Sequence, residues 1–172
     1  DVKDCDWIAQ LLQHGLLRAS FVPERPQRDL RDLTRQRSQL TAEQSRVSNR
    51  IHKTLEDANL KLGSVATDIL GVSGREMIRA LIAGQDDPNA LAELARRRLR
   101  AKLPQLREAL RGRLSDHHRF MLSQLMDHLD YLDRQIAAFD QRIEELMRPF
   151  QEATQRLMTM PGVGRLTAQN VL

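Results

Sequence analysis

Two heptad stripes constrain this chain more than any other feature of it. In the first, over about Gln27 to Asn59, Leu30, Leu33, Leu40, Val47, Ile51 and Ala58 occupy positions of a stripe whose steps alternate between three and four. Arg37, Gln44 and Thr54 fill the remaining positions of that stripe. In the second, Leu125, Leu129, Leu132, Ile136, Phe139, Ile143, Leu146 and Phe150 step by four and three without interruption. A seam of this kind places one helix along the length of another. The polar residues inside the first seam lower stability but can fix register. Aromatic residues make up only 3% of the 172 residues, which disfavours the sandwiches and barrels that lean on aromatic and β-branched side chains. The expected class is all-α, built on long antiparallel coiled-coil helices.

The second stripe extends upstream through Leu110, Leu114, His117 and Met121, with a four-residue stutter between Met121 and Leu125. Pro104 can open this helix, so the pattern predicts one element from Pro104 to Arg148, 45 residues and about 67 Å at ~1.5 Å per residue. That length exceeds what the first helix can cover, and the excess seam is expected to meet a second copy of the chain. Elsewhere the elements are shorter. Trp7, Ile8, Leu11 and Leu12 mark a helix over 4–14, with Gly15 as its stop. Residues 16–26, with Phe21, Val22, Pro23 and Pro26, form a connector. Residues 60–103 hold broken helices, among them Ser73 to Glu76 at capping-box spacing and Asp87-Pro88 as an N-cap with proline at the first helical position.

The charge is uneven. Of 27 basic residues only Lys3, Lys53, Lys61 and Lys102 are lysines. Residues 18–113 carry 20 basic and 12 acidic groups, whereas residues 114–160 carry 5 and 8. A basic block beside an acidic one suggests a polyanion surface and a protein surface, and the planar arginine fork suits phosphate. Arg28, Arg31, Arg35, Arg46 and Lys53 point away from the first seam, and Arg96, Arg97, Arg98, Arg100 and Lys102 form the densest basic cluster. The simpler reading is a set of solvated helix faces.

Few residues carry recognisable chemistry. Cys5 is the single cysteine, which rules out an internal disulfide framework and a thiolate zinc cluster. No apolar run approaches the roughly 18 residues of a membrane span, and no secretory leader is present, so a cytoplasmic setting is expected. Asp1 and Asp4 are three apart and share a helix face within reach of one hard cation, although helix starts also favour Asp for dipole reasons. Pro161-Gly162-Val163-Gly164 lies between two helical stretches, where two glycines let a backbone come close and Arg165 can add a phosphate contact. This is the pattern of a helix-hairpin-helix element, or of an ordinary turn. His117, His118 and His128 lack zinc spacing. The chain opens on Asp and stops at Leu172 in an apolar pattern, as a piece of a longer protein would.

Several dispersed segments occur together in order: Asp1-Val-Lys-Asp4-Cys-Asp-Trp-Ile-Ala-Gln-Leu-Leu12, His14 to Arg18, Ser20 to Pro23, Arg31-Asp-Leu33, Arg50-Ile-His-Lys53 to Ala58, and Pro161 to Ala168. They resemble the insertion-sequence-one-ten family of bacterial transposases, of the DEDD, bridge-RNA-guided kind. The resemblance implies an RNase H-like nuclease domain whose Asp-Glu-Asp-Asp tetrad binds Mg²⁺, a coiled coil, and a transposase domain with a serine nucleophile. It equates Asp1 and Asp4 with the last two acids of the tetrad, as catalytic metal ligands; Asp6 takes no metal role. Residues 1–22 would end the nuclease domain, 23–150 would be the coiled-coil connector and 151–172 would begin the transposase domain. The first two tetrad acids and the serine fall outside the chain, so the chain alone is expected to be inactive and to bind Mg²⁺ poorly. Implied partners are DNA, the bridge RNA and further copies through the coiled coil, in a bacterial nucleoid. Gly162, Gly164 and Arg165 would meet DNA. Arg28, Arg31, Arg35, Arg46, Arg50, Lys53, Arg96, Arg97 and Arg98 would meet phosphates of either nucleic acid. The alternatives are a non-catalytic coiled-coil adaptor and a helical nucleic-acid chaperone, neither of which needs Asp1 and Asp4.

Overall fold

A computed structural model describes residues 2–18, 20 and 22–171; Asp1, Ala19, Phe21 and Leu172 lie outside the described residues. Every regular element among them is helical, as the aromatic-poor composition predicts. Helix α1 (Val2–Gln13) ends at His14 and Gly15, the latter at φ +66°. Helix α2 (Arg25–Asp57) starts with Pro26 in its first turn. Short helices α3 (Leu62–Val65), α4 (Val72–Ile82) and α5 (Pro88–Glu93) follow, then a 3₁₀ segment (Arg97–Lys102) and α6 (Leu103–Ala109). Helix α7 (Asp116–Met147) returns along α2. A 3₁₀ turn (Arg148–Phe150) leads into α8 (Gln151–Met158) and α9 (Arg165–Val171).

The polar positions of the first stripe show how α2 and α7 are matched. Arg37 of α2 donates to Asp140 of α7, and Gln44 donates to Asp133. Partners rise in number on one helix as they fall on the other, so the pair is antiparallel. Thr54 instead returns its hydroxyl to the Arg50 carbonyl, 2.9 Å away. Before these positions Leu30 packs with Ile143 and Met147 at one end of the pair. At the other end Val47, Ile51 and Leu55 meet Leu122, Leu125, Leu129 and Leu132. The 60–113 segment thickens this second end: Met77, Ile78 and Leu81 of α4, Leu91 and Ala92 of α5 and Leu106 of α6 join the same core. Each large side chain buried there contributes about 1.5–3 kcal/mol.

The single helix expected from Pro104 to Arg148 is two helices. Helix α6 stops at Ala109, and the chain turns through Gly112 before α7 begins. The break is a docking event. The Lys61 amide donates to the Ala109 carbonyl at 2.8 Å, and the Arg113 amide donates to the Ala58 carbonyl at 3.0 Å. A Cβ on Gly112 would stand 2.5 Å from that same Ala58 oxygen, so only glycine allows the approach. Ser115 then restarts the helix in a capping box: its hydroxyl accepts from the His118 amide while the His118 ring accepts from the Ser115 amide. The resulting α7 has 32 residues against 33 in α2, so the excess length that called for a second copy does not exist.

The capping box expected at Ser73 to Glu76 is also replaced. Helix α4 starts two residues earlier than that box would place it, with Gly71 as N-cap and no side-chain cap. Ser73 and Glu76 both serve Arg96: the Ser73 hydroxyl accepts from its amide at 2.9 Å, and the Glu76 carboxylate pairs with its guanidinium at 2.6 Å. The Asp87 cap forms as expected. Its carboxylate accepts from the amides of Asn89 and Ala90, and the Asn89 amide above all holds it below the usual carboxylate range.

Candidate nucleic-acid interface

At about 100° per residue, Arg28, Arg31, Arg35, Arg46, Arg50 and Lys53 fall within a single arc of about 100° on α2. All six are exposed. They form two triads, 28/31/35 and 46/50/53, separated by about 16 Å of neutral helix. Asp32 lies at the edge of the first triad and pairs with Arg35 at 4.0 Å; Asp57 lies beyond the second. Arg28, Arg31, Arg46, Arg50 and Lys53 have no acidic partner among the described residues.

The arginines on the packed side behave differently. Arg75 of α4 donates to the Leu70 carbonyl at 2.6 Å and to Asp130 and Asp133 of α7, both at 2.7 Å. Arg79 adds a second bond to Asp130 at 2.8 Å. Arg119 of α7 pairs with Asp86 and donates to the Leu81 carbonyl. These groups have lost part of their hydration, and a guanidinium in that position must find carboxylates or carbonyls. The acidic excess of residues 114–160 is therefore spent partly inside the molecule. It neutralises the inward-facing arginines and leaves the outer face of α2 positive.

A second basic region lies at the start of the 3₁₀ segment. Arg97 stands at φ +51°, a backbone region that residues with a Cβ seldom adopt. Neither Arg97 nor Arg98 has an acidic partner among the described residues, whereas Arg96 is bound to Glu76 and Arg100 to Glu93. The Arg97, Arg98 and Lys102 side chains line a cavity of about 610 Å³ whose opposite wall is residues 65–74. That wall is not foreshadowed in the sequence, because nothing local in residues 65–74 says that it is set against Arg97.

The hairpin keeps the predicted outline. Gly162 sits at φ +83° between α8 and α9, and nothing lies within 4 Å of a Cβ placed on Gly162 or Gly164. Arg165, however, donates to Glu144 of α7 at 2.9 Å, so its guanidinium is tied to the body of the protein. The two acids at the front are not brought together in view: Asp1 lies outside the described residues, and Asp4 is exposed on α1, a helix with no buried residue. No group of three or more His, Cys, Asp or Glu side chains that could hold a metal ion occurs among the described residues.

Residues 1–60 match the family model of the IS110-type DEDD transposases, described as a transposase. The first third of the chain is thus similar to IS110-type transposases. Neither a curated protein nor a solved structure matches it. The matched stretch takes in α1 and all of α2, so the arginine face lies within it. A transposase is a DNA-processing enzyme and binds DNA. The DEDD type generally uses a divalent metal, but the described residues do not assemble a site that could hold one. No helix among the described residues is long and apolar enough to cross a membrane.

Proposed function

We propose that this chain is the helical connector of a bridge-RNA-guided IS110-type recombinase, with the outer face of α2 as a phosphate-binding surface. The observation that carries the reading is the sorting of basic side chains: Arg37 and Arg75, which face α7, are neutralised by carboxylates, whereas on the outer face of α2 only Arg35, 4.0 Å from Asp32, has an acidic partner among the described residues. Exposed basic groups in two triads match a polyanion that crosses the helix at two points. Such contacts position a nucleic acid without reading its sequence.

In the intact enzyme, residues 1–22 would close the nuclease domain, with Asp1 and Asp4 as two of the acids that ligate Mg²⁺. Residues 151–172 would open the transposase domain, with Gly162 and Gly164 against a DNA backbone. A serine outside this chain would attack the phosphodiester as an activated hydroxyl. The paired helices would hold these modules apart. The test is binding of the chain to duplex DNA and to structured RNA across a salt series. Affinity that falls steeply with salt supports the reading; salt-insensitive binding, or none, returns the chain to the adaptor reading.

A further inference from the structure

The face of α2 is convex and offers contact to phosphates only. The cavity beside Arg97 has a different chemistry. Its lining combines apolar residues, among them Ala66, Val72 and Leu99, with the basic Arg97, Arg98 and Lys102. Its volume, about 610 Å³, lies within the range of pockets that enclose a small ligand, roughly 300–1,000 Å³. The walls are clipped together independently of any ligand. The Arg96 amide donates to Ser73, its guanidinium to Glu76, and Lys102 donates to the Val65 carbonyl at 3.0 Å. Lys102 keeps two further donors after that bond. The lining is more basic than its acids can neutralise: Asp68 is its one acidic side chain, and the Asp68 carboxylate accepts from the Leu70 amide.

We infer that this cavity receives one unpaired nucleotide of a single strand, with its phosphate against Arg97, Arg98 and Lys102 and its base against Ala66, Val72 and Leu99. The inference rests on the nucleic-acid reading above and gives it a second, shape-dependent site. A duplex presents its phosphates but keeps its bases stacked, so it can meet the basic residues and cannot enter. Recognition of splayed-out bases is the usual route by which proteins select single strands, and arginine planes can serve where aromatic side chains are absent.

The experiment measures, at fixed salt, the affinity of the full chain for a labelled single-stranded oligonucleotide and for a blunt duplex of equal length. Arg97→Gln combined with Arg98→Gln is expected to weaken single-strand binding by about tenfold or more, the loss of charge-assisted bonds to phosphate. Duplex binding should change much less. Val72→Gln replaces apolar surface under the base with an amide without changing charge, and Val72 is 64% exposed, so the fold tolerates it. This variant should also weaken single-strand binding more than duplex binding. Equal losses on both probes, or full single-strand affinity in the Val72→Gln variant, would overturn the cavity site and leave the α2 surface standing. Failure of the unaltered chain to bind either probe in a salt-dependent way would overturn both.

Discussion

Arg75 and Arg46 have the same side chain in the same protein and opposite surroundings. Arg75 lies between α4 and α7, 22% exposed at its side chain, with every face of its guanidinium directed at Leu70, Asp130 or Asp133. Arg46 stands on the outer face of α2 with no carboxylate in reach among the described residues. The difference teaches that a count of arginines is a poor guide to a polyanion surface. What matters is which of them the fold has already neutralised. The local surplus of basic residues over 18–113 overstates the available charge near α4 and describes it fairly along α2.

The largest effect should come from the packed region. A Cβ on Gly74 would run into the Ile69 backbone carbonyl, which cannot swing aside as a side chain could. Gly74→Ala is expected to cost about 3 kcal/mol or more in a denaturant melt, the upper range for overpacking. Next, Arg75→Ala leaves Asp130 with Arg79 alone and Asp133 with Gln44 alone. Breaking a fully buried pair costs about 3–5 kcal/mol; with these groups a fifth to a third exposed, a loss of about 2 kcal/mol is expected. Its salt dependence of DNA binding should match the unaltered chain. By contrast, Arg46→Gln, Arg50→Gln and Lys53→Gln together should stay within about 0.5 kcal/mol in the same melt, because exposed positions without partners contribute little.

The smallest effect concerns the Asp87 cap. Its carboxyl is held below the ordinary value by the Asn89 amide, so the folded state favours the ionised form. The contribution is complete above the ordinary carboxyl pKa and is lost as the pH falls through the lower, folded value. Asp87→Ala should therefore lower the melting temperature slightly at neutral pH and make no difference in strong acid. A deficit that persists unchanged in acid would show that the cap acts by something other than the carboxylate.

Local signals in the sequence proved readable and long-range ones did not. The α1 and α2 spans, the Asp87 cap and the leucine stripe after Leu125 follow from spacings within one or two turns. The break at Gly112 does not, because Leu110, Leu114, His117 and Met121 continue the rhythm across it. Its cause is the carbonyl of Ala58, more than fifty residues away in sequence. Ser73 and Glu76 likewise have the spacing of a capping box, yet Arg96 takes both, from twenty residues downstream or more. The same holds at the interface. Helical phase alone places Arg28 and Arg46 on the outer face, but it cannot reveal that Arg165 is held by Glu144 or that residues 65–74 form a wall opposite Arg97. Partners chosen by tertiary packing decide which charges remain available.

The most direct test is the slope of log affinity for duplex DNA against log salt concentration. It is to be measured for the unaltered chain, for the Arg46→Gln, Arg50→Gln, Lys53→Gln variant, and for Arg75→Gln. The outer-face variant should lose about 3 units of slope, one for each phosphate contact removed, while Arg75→Gln should lose none. Equal slopes in all three proteins, or a loss confined to Arg75→Gln, would contradict the assignment of the α2 face as the phosphate-binding surface.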